Sequence, residues 1–213
     1  MGHPIWPLYG LRITTPRLEL RLPGTDLLEE LSAVAADGVH DASRMPFTVP
    51  WTDSPPRERA RATFRHVLGT VADWTAHEWT LSLAVLCDGR AVGRQDLSAT
   101  DFPVTREART GSWLGLAHQG RGIGTEMRAA VLHLAFEGLG AHAATSAAMT
   151  DNPASLAVSR KLGYRPDGLE TAAVRGEART LRRLRLCRED WRAHRTVEVG
   201  IEGLEPCRAL FEG

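Results

Sequence analysis

The sequence predicts an α+β fold in which a mixed central β-sheet is flanked by helices. Three observations point to it. Apolar periodicity gives the element order β-α-α-β-β-β-α-β-α-β-β, with hairpin signals beside one βαβ crossover, and not the regular β–α alternation of a doubly wound fold. The 213 residues suit one domain with additions. A composition of 43% hydrophobic and 24% charged residues is that of a chain able to bury a core.

Each element has its own signal. Leu18, Leu20 and Leu22 alternate with Arg17, Glu19 and Arg21, so residues 15–22 read as a half-buried strand that Pro23-Gly24 ends. Asp26 and Glu29 have the spacing of a capping box, and a helix carrying Leu27, Leu28, Leu31 and Val34 then runs to Gly38. After a Pro-rich, aromatic segment (Met45 to Pro56), Ser54-Pro55-Pro56 suits the start of a helix over residues 57–74. Strands at 79–87 and 91–99 meet at Asp88-Gly89, a strong hairpin signal. A strand at 109–117, a helix at 123–138, a strand at 141–149, a helix at 153–162, two strands within 165–187 and a short helix at 188–195 follow.

Charge and cysteine content exclude several classes of function. The 26 basic and 26 acidic side chains cancel, which argues against a broad electrostatic grip on nucleic acid or a membrane surface. No apolar run reaches the length of a bilayer span, and the N-terminus lacks the pattern of a secretory signal. Cys87, Cys187 and Cys207 are too few and too scattered for a disulfide framework or zinc site, and the histidines form no metal-ligand spacing. A metal-free cytoplasmic protein is the expectation.

The chemistry concentrates in residues 111–127, GSWLGLAHQGRGIGTEM, where a strand enters a glycine-containing turn that opens a helix. The first turn of a helix has about four N–H groups without intrahelical partners and carries the positive end of the dipole, so it suits an anion. Gly120, Gly122 and Gly124 present no side chain to hold a diphosphate away, and Gln119 and Arg121 offer further donors. A Walker loop needs a Lys that is missing, and a dinucleotide fingerprint fails at Thr125, which disfavours an NAD oxidoreductase. Further on, Asn152 and Pro153 suit a helix start, and Asn152, Ser155 and Ser159 share one face of residues 153–162, which Gly163 ends.

The pattern Gln119-Gly-Arg-Gly-Ile-Gly124 resembles the coenzyme A pyrophosphate motif of the GNAT superfamily of acyl-CoA-dependent N-acyltransferases. The segment from Asn152 to Tyr164 resembles the second motif of that superfamily. Thr15-Pro-Arg-Leu-Glu-Leu-Arg21 and Gly111-Ser-Trp-Leu114 resemble its Rim-like branch, the ribosomal-protein N-terminal acetyltransferases. The likeness covers about residues 13–193, giving one acyltransferase domain. Residues 194–213 form an extension that adds a strand, covers an edge or contacts a second subunit in a homo-oligomer.

The resemblance implies two parallel strands that splay apart to admit the thioester arm of acetyl-CoA or succinyl-CoA. Leu114 and Leu116 would offer backbone groups to that arm. Gln119, Gly120, Arg121, Gly122, Ile123, Gly124 and Thr125 would hold the pyrophosphate, and Asn152 and Ser155 would line the pantetheine path. An amine (a protein N-terminus, a lysine or a small amine) would attack directly, with positioning and oxyanion donors supplying the catalysis. Ser159 stands where many relatives have the tyrosine that protonates the leaving thiolate, and the resemblance makes it the general acid. Among the carboxylates Asp96, Asp101, Glu107 and Glu126, Asp96 is chosen as the base because its strand should face the acceptor, with water as the alternative. Met45, Phe47 and Trp51 supply an apolar acceptor wall. Loss of the tyrosine leaves a second reading, a non-catalytic acyl-CoA sensor.

Overall fold

Alternating burial turns the first pattern into structure. Leu18 and Leu20 are buried and Glu19 and Arg21 half-buried in β2 (Leu18–Arg21), which pairs with the short β1 (Arg12–Thr14). The computed structural model describes residues 3–212. Its nine strands form one sheet in the order β7-β8-β6-β5-β4-β3-β2-β1-β9. β3 (Glu78–Cys87) and β4 (Arg90–Thr100) form the expected hairpin, with Asp88 and Gly89 both at positive φ (51° and 75°), as a tight two-residue turn requires. β5 (Glu107–Leu114) runs antiparallel to β4, and β6 (Ala143–Met149) lies parallel to β5. The hairpin of β7 (Arg165–Val174) and β8 (Glu177–Cys187) completes one edge.

Helices cover both faces. On one, α1 (Thr25–Asp37) and α2 (Pro56–Ala72) bury Leu28, Leu31 and Val67 against Ala84, Leu86 and Trp113. On the other lies α4 (Ile123–His133), which widens into a π-helical turn at Leu134–Gly138 and buries Met127, Ala130 and Val131 beside Leu20, Leu97 and Ala108. α5 (Pro153–Lys161) follows β6 on that side, and the one-turn α3 (Phe102–Thr105) links β4 to β5.

Three local expectations change. The capping box does not form: Gly24 is the N-cap of α1, and no side chain caps the helix, because the helix begins at Thr25, one residue before Asp26. α2 ends at Ala72 and leaves Trp74 beyond it. The strand expected at 109–117 stops at Leu114, where Gly115 turns the chain into a 3-10 turn at Leu116–His118 and the Leu116 N–H bonds to the Gly38 carbonyl at 2.9 Å.

The C-terminal segment adds an edge strand. β9 (Gly200–Glu202) pairs with β1, so it covers that side of the sheet. Beyond the short α6 (Arg188–Ala193), α7 (Arg208–Glu212) sends a fully buried Phe211 against Trp79, with ring centroids 4.9 Å apart, and the Trp74 indole donates to the Leu210 carbonyl at 2.9 Å.

Candidate active site

β5 and β6 pair only through Glu107–Ala143, Ala108–Ala144 and Arg109–Thr145, and then part. The gap opens into a cavity of about 1000 Å³ that runs from the start of α4 to the loop between α1 and α2. Gly111 to Leu114 form one wall of this wedge and Ser146 to Ala148 the other. Because strand residues alternate, Arg109, Gly111 and Trp113 face α1 and α2, and Thr110, Ser112 and Leu114 face α4 and α5.

The mouth is built from backbone. Gly120 and Gly122 have φ of 74° and 79°, a left-handed conformation that other residues adopt only with strain. Among the described residues, the N–H groups of residues 120–124 have no hydrogen-bond partner, whereas the Thr125 and Glu126 amides bond to the Gly122 carbonyl. Five consecutive free donors at the N-terminus of a long helix form an anion cradle. A β-carbon on Gly124 would sit at ordinary contact distance from Leu114 and Val158 (3.7 and 3.8 Å), so any larger side chain there enters the cavity.

A clamp fixes the cradle. Glu126, in the first turn of α4, accepts from Thr15 Oγ1 at 2.6 Å and from Arg17 Nε at 2.7 Å, and it pairs with Arg17 Nη2 at 2.5 Å. Arg17 also donates to the Arg121 carbonyl at 3.0 Å. Burial alone would raise the Glu126 pKa, but these hydrogen bonds and the Arg17 charge outweigh it and hold the carboxyl below its ordinary value. Glu126 is therefore a fastener rather than a base. Arg17, which the strand pattern placed on an outward face, brings positive charge to the rim.

Leu114, Leu116, Gln119, Gly120, Gly122, Gly124, Thr125, Asn152 and Ser155 all line the one cavity. Several do so differently from the expectation. Gln119 does not extend its amide to the ligand, because Nε2 is engaged by the Val39 and Leu114 carbonyls at 2.7 and 3.0 Å and braces the turn against the end of α1. Leu116 has left the strand, and its N–H is taken by Gly38. Ile123 is a core side chain that offers only its amide, and the exposed Arg121 side chain does not line the cavity. Asn152 caps α5, its Oδ1 accepting from the Ser155 N–H at 3.1 Å.

The two catalytic choices lie off the lining. Ser159 is fully buried; its hydroxyl donates to the Ser155 carbonyl at 3.0 Å and accepts from Arg128 Nη1 at 2.8 Å. With both roles engaged it holds Arg128 in place and has no proton free for a leaving group. Asp96 accepts from Ser82 at 2.7 Å and pairs with Arg94 at 2.9 Å behind the wall. Asp101 is bonded to His77 and Glu107 is paired with Arg185, so neither is a free carboxylate.

The acceptor half is lined by side chains from distant segments. Phe47 packs on Trp51, and Trp51 on Trp113, with centroids 5.4 and 5.9 Å apart, and Met45 is buried beside Met149 and Leu181. The Trp113 indole N–H is buried without a partner. His66 of α2 lines the same half with its side chain exposed to the cavity; local desolvation and then the Arg94 charge lower its pKa, although the nearby Asp96 opposes them. His66, Arg94, Trp113 and Arg128 escaped the sequence reading. Only Arg128 had a local signal, as a lone cation in a helix that is buried all round from Glu126 to Leu132. Among the described residues, no cluster of His, Cys, Asp or Glu is placed to hold a metal, and no helix is long and apolar enough to cross a membrane.

A mixed sheet that opens beside its single parallel pair, with an amide cradle at the mouth, places the protein in the acyltransferase class. Residues 17–165 match the acetyltransferase (GNAT) domain, and the chain belongs to that family. Solved structures agree on the fold. RimJ of Mycobacterium smegmatis, in complex with a CoA disulfide, is 21% identical with a TM-score of 0.67, the match covering 85% of this chain and 87% of that one. The ribosomal L7/L12 α-N-protein acetyltransferase RimL, in complex with coenzyme A, is 20% identical with a TM-score of 0.64, over 81% and 95%. A GCN5-related N-acetyltransferase from Brucella melitensis is 22% identical with a TM-score of 0.66, over 86% and 81%.

Proposed function

We propose that the protein transfers an acyl group from an acyl-CoA to a primary amine by direct attack within the β5–β6 wedge. The observation that carries this reading is the row of five unpartnered amides at residues 120–124, opening onto a cavity that continues to a separate aromatic wall. A diphosphate matches the donors at one end, and an amine-bearing group fits the other. When bound, acyl-CoA supplies an activated thioester; the protein supplies alignment and proton handling. His66, which lines the cavity and whose pKa is lowered, is the group best placed to take the amine proton, with Asp96 and Arg94 setting the charge around it. The Rim-like neighbours support a protein or peptide amine as acceptor.

Acetyl is the simplest acyl group. Arg109 is exposed at the fork of the wedge, lines the cavity and has no ion-pair partner among the described residues, which supports acceptance of a carboxylate-tipped chain such as succinyl. The test is thiol release from acetyl-CoA and succinyl-CoA across a panel of peptide N-termini, lysine peptides and small amines. Amine-dependent release with either donor supports the proposal. Tight CoA binding with no turnover on any amine would replace it with the sensor.

A further inference from the structure

Among the described residues, Arg128 is the one cavity-lining cation that is both buried and without an acidic partner. It is 5% exposed, and among the described residues no carboxylate lies within ion-pair distance. Among the described residues, its guanidinium makes one hydrogen bond, from Nη1 to Ser159, and its Nε is buried with no partner. Burial lowers the guanidinium pKa, yet an arginine keeps its charge under ordinary conditions. A buried cation without a counter-ion is costly, and folded proteins rarely leave one so. The other groups facing it are neutral: Ser159 of α5 and the buried Tyr164 phenol, which hydrogen-bonds Thr110 at 3.1 Å.

The position of Arg128 identifies the missing charge. It lies one helical turn beyond Gly124, and its side chain meets α5 at Ser159 and nears Tyr164, whose partner Thr110 sits where β5 leaves β6. The guanidinium is therefore at the closed end of the wedge on the α4–α5 side, opposite the wall that holds the acceptor. Its hydrogen bond to Ser159 turns the guanidinium toward α5, and it makes no hydrogen bond to residues 120–124 of the amide cradle. An acyl-CoA extended from the cradle into the wedge would bring its sulfur to this side, and that sulfur becomes anionic when the acyl group leaves.

We infer that Arg128 is the seat of the CoA thiolate formed on acyl transfer, with Ser159 fixing its orientation. As the amine nitrogen bonds to the acyl carbon, the carbon–sulfur bond breaks and its electron pair stays on sulfur. The amine proton leaves through His66 or water, and the guanidinium donates hydrogen bonds to the sulfur anion without giving up a proton. This inference rests on the acyl-CoA reading of the cleft.

The test follows the ionisation of the thiol of free CoA bound to the intact protein, read from thiolate ultraviolet absorbance between pH 5 and 10. The bound thiol should ionise about one to three pH units below free CoA, the shift an adjacent opposite charge produces. Arg128→Met should abolish the shift, and Arg128→Lys should keep part of it. CoA affinity of Arg128→Met should match the parent at pH 6 and fall behind it as the pH rises, whereas desulfo-CoA should bind both proteins alike at every pH. The same thiol ionisation in the parent and Arg128→Met, or equal weakening of CoA and desulfo-CoA, would overturn the assignment. If Arg128→Met does not fold, Arg128→Lys against the parent decides by the same comparison. No binding of either ligand to the parent would overturn the acyl-CoA reading and the inference together.

Discussion

The two halves of the cleft are built on different principles. At the mouth, the backbone does the binding: consecutive amides at residues 120–124, two glycines in left-handed conformations, and a clamp from Thr15 and Arg17 to Glu126. In the acceptor half, Phe47, Trp51, His66, Arg94 and Trp113 arrive from four separate segments, and their side chains define the surface. Side-chain substitutions other than proline leave backbone amides in place, so the first half can keep one ligand while the second is altered residue by residue. A constant donor and a changeable acceptor are the expected consequence.

The sharpest way to break this division is to fill the cradle. Gly124→Glu should weaken CoA binding by more than about 100-fold, roughly the 2.7 kcal/mol this factor represents, with an unchanged melting temperature, as calorimetric titration and thermal unfolding will show. Gly122→Val should lose affinity and also about 1–2 kcal/mol of stability, because its φ of 79° strains any β-carbon. If Gly124→Glu still bound CoA tightly, the cradle would not be the anion site.

Next in size, His66→Gln should lower kcat by about 100-fold or more while leaving CoA affinity alone. Since the His66 pKa lies below its ordinary value, its neutral form persists to lower pH than that of a free imidazole. The acid limb of kcat against pH should therefore fall below about pH 6.5 and vanish in His66→Gln. An unaltered limb in the variant would move the proton to another acceptor.

Smaller again, Trp51→Ala should raise KM for the amine by about tenfold, the cost of losing one aromatic contact, with the CoA dissociation constant unchanged. Equal effects on both ligands would erase the boundary between the halves.

The mildest test concerns the clamp. Glu126 has a lowered folded-state pKa, so its contribution is present above its unfolded value near 4.5 and is lost as the pH falls through the folded value. Glu126→Gln should cost about 1–2 kcal/mol at neutral pH, allowing for the half-exposed Arg17. The gap between the two proteins should close in acid, as melting curves from pH 7 to 3 will show. A gap independent of pH would mean that the carboxylate charge is not what holds the turn.

This division also explains what could be read from the sequence. The hairpin at Asp88-Gly89, the glycine turn, the Asn152 cap and most of the element order are local patterns, in which each residue type is dictated by backbone geometry within a few positions. The capping box failed because Asp26 falls inside α1 and not before it. Ser159 and Gln119 were placed in the right region, but their partners, Arg128 and Val39, are 31 and 80 residues away, and those partners decide what their polar groups are free to do. The same holds for Glu126, whose role is set by Arg17 across 109 residues. His66 and Trp113 gain meaning only when the sheet brings α2 and β5 to one cavity, a long-range fact that no local spacing encodes.

Backbone amide resonances of the isotope-labelled protein, followed during titration with CoA, report directly on the helix mouth. If these amides hold the diphosphate, the resonances of Gly120 to Gly124 shift most and saturate with the calorimetric binding curve. Saturation of CoA binding while those five amides stay unmoved would contradict that role.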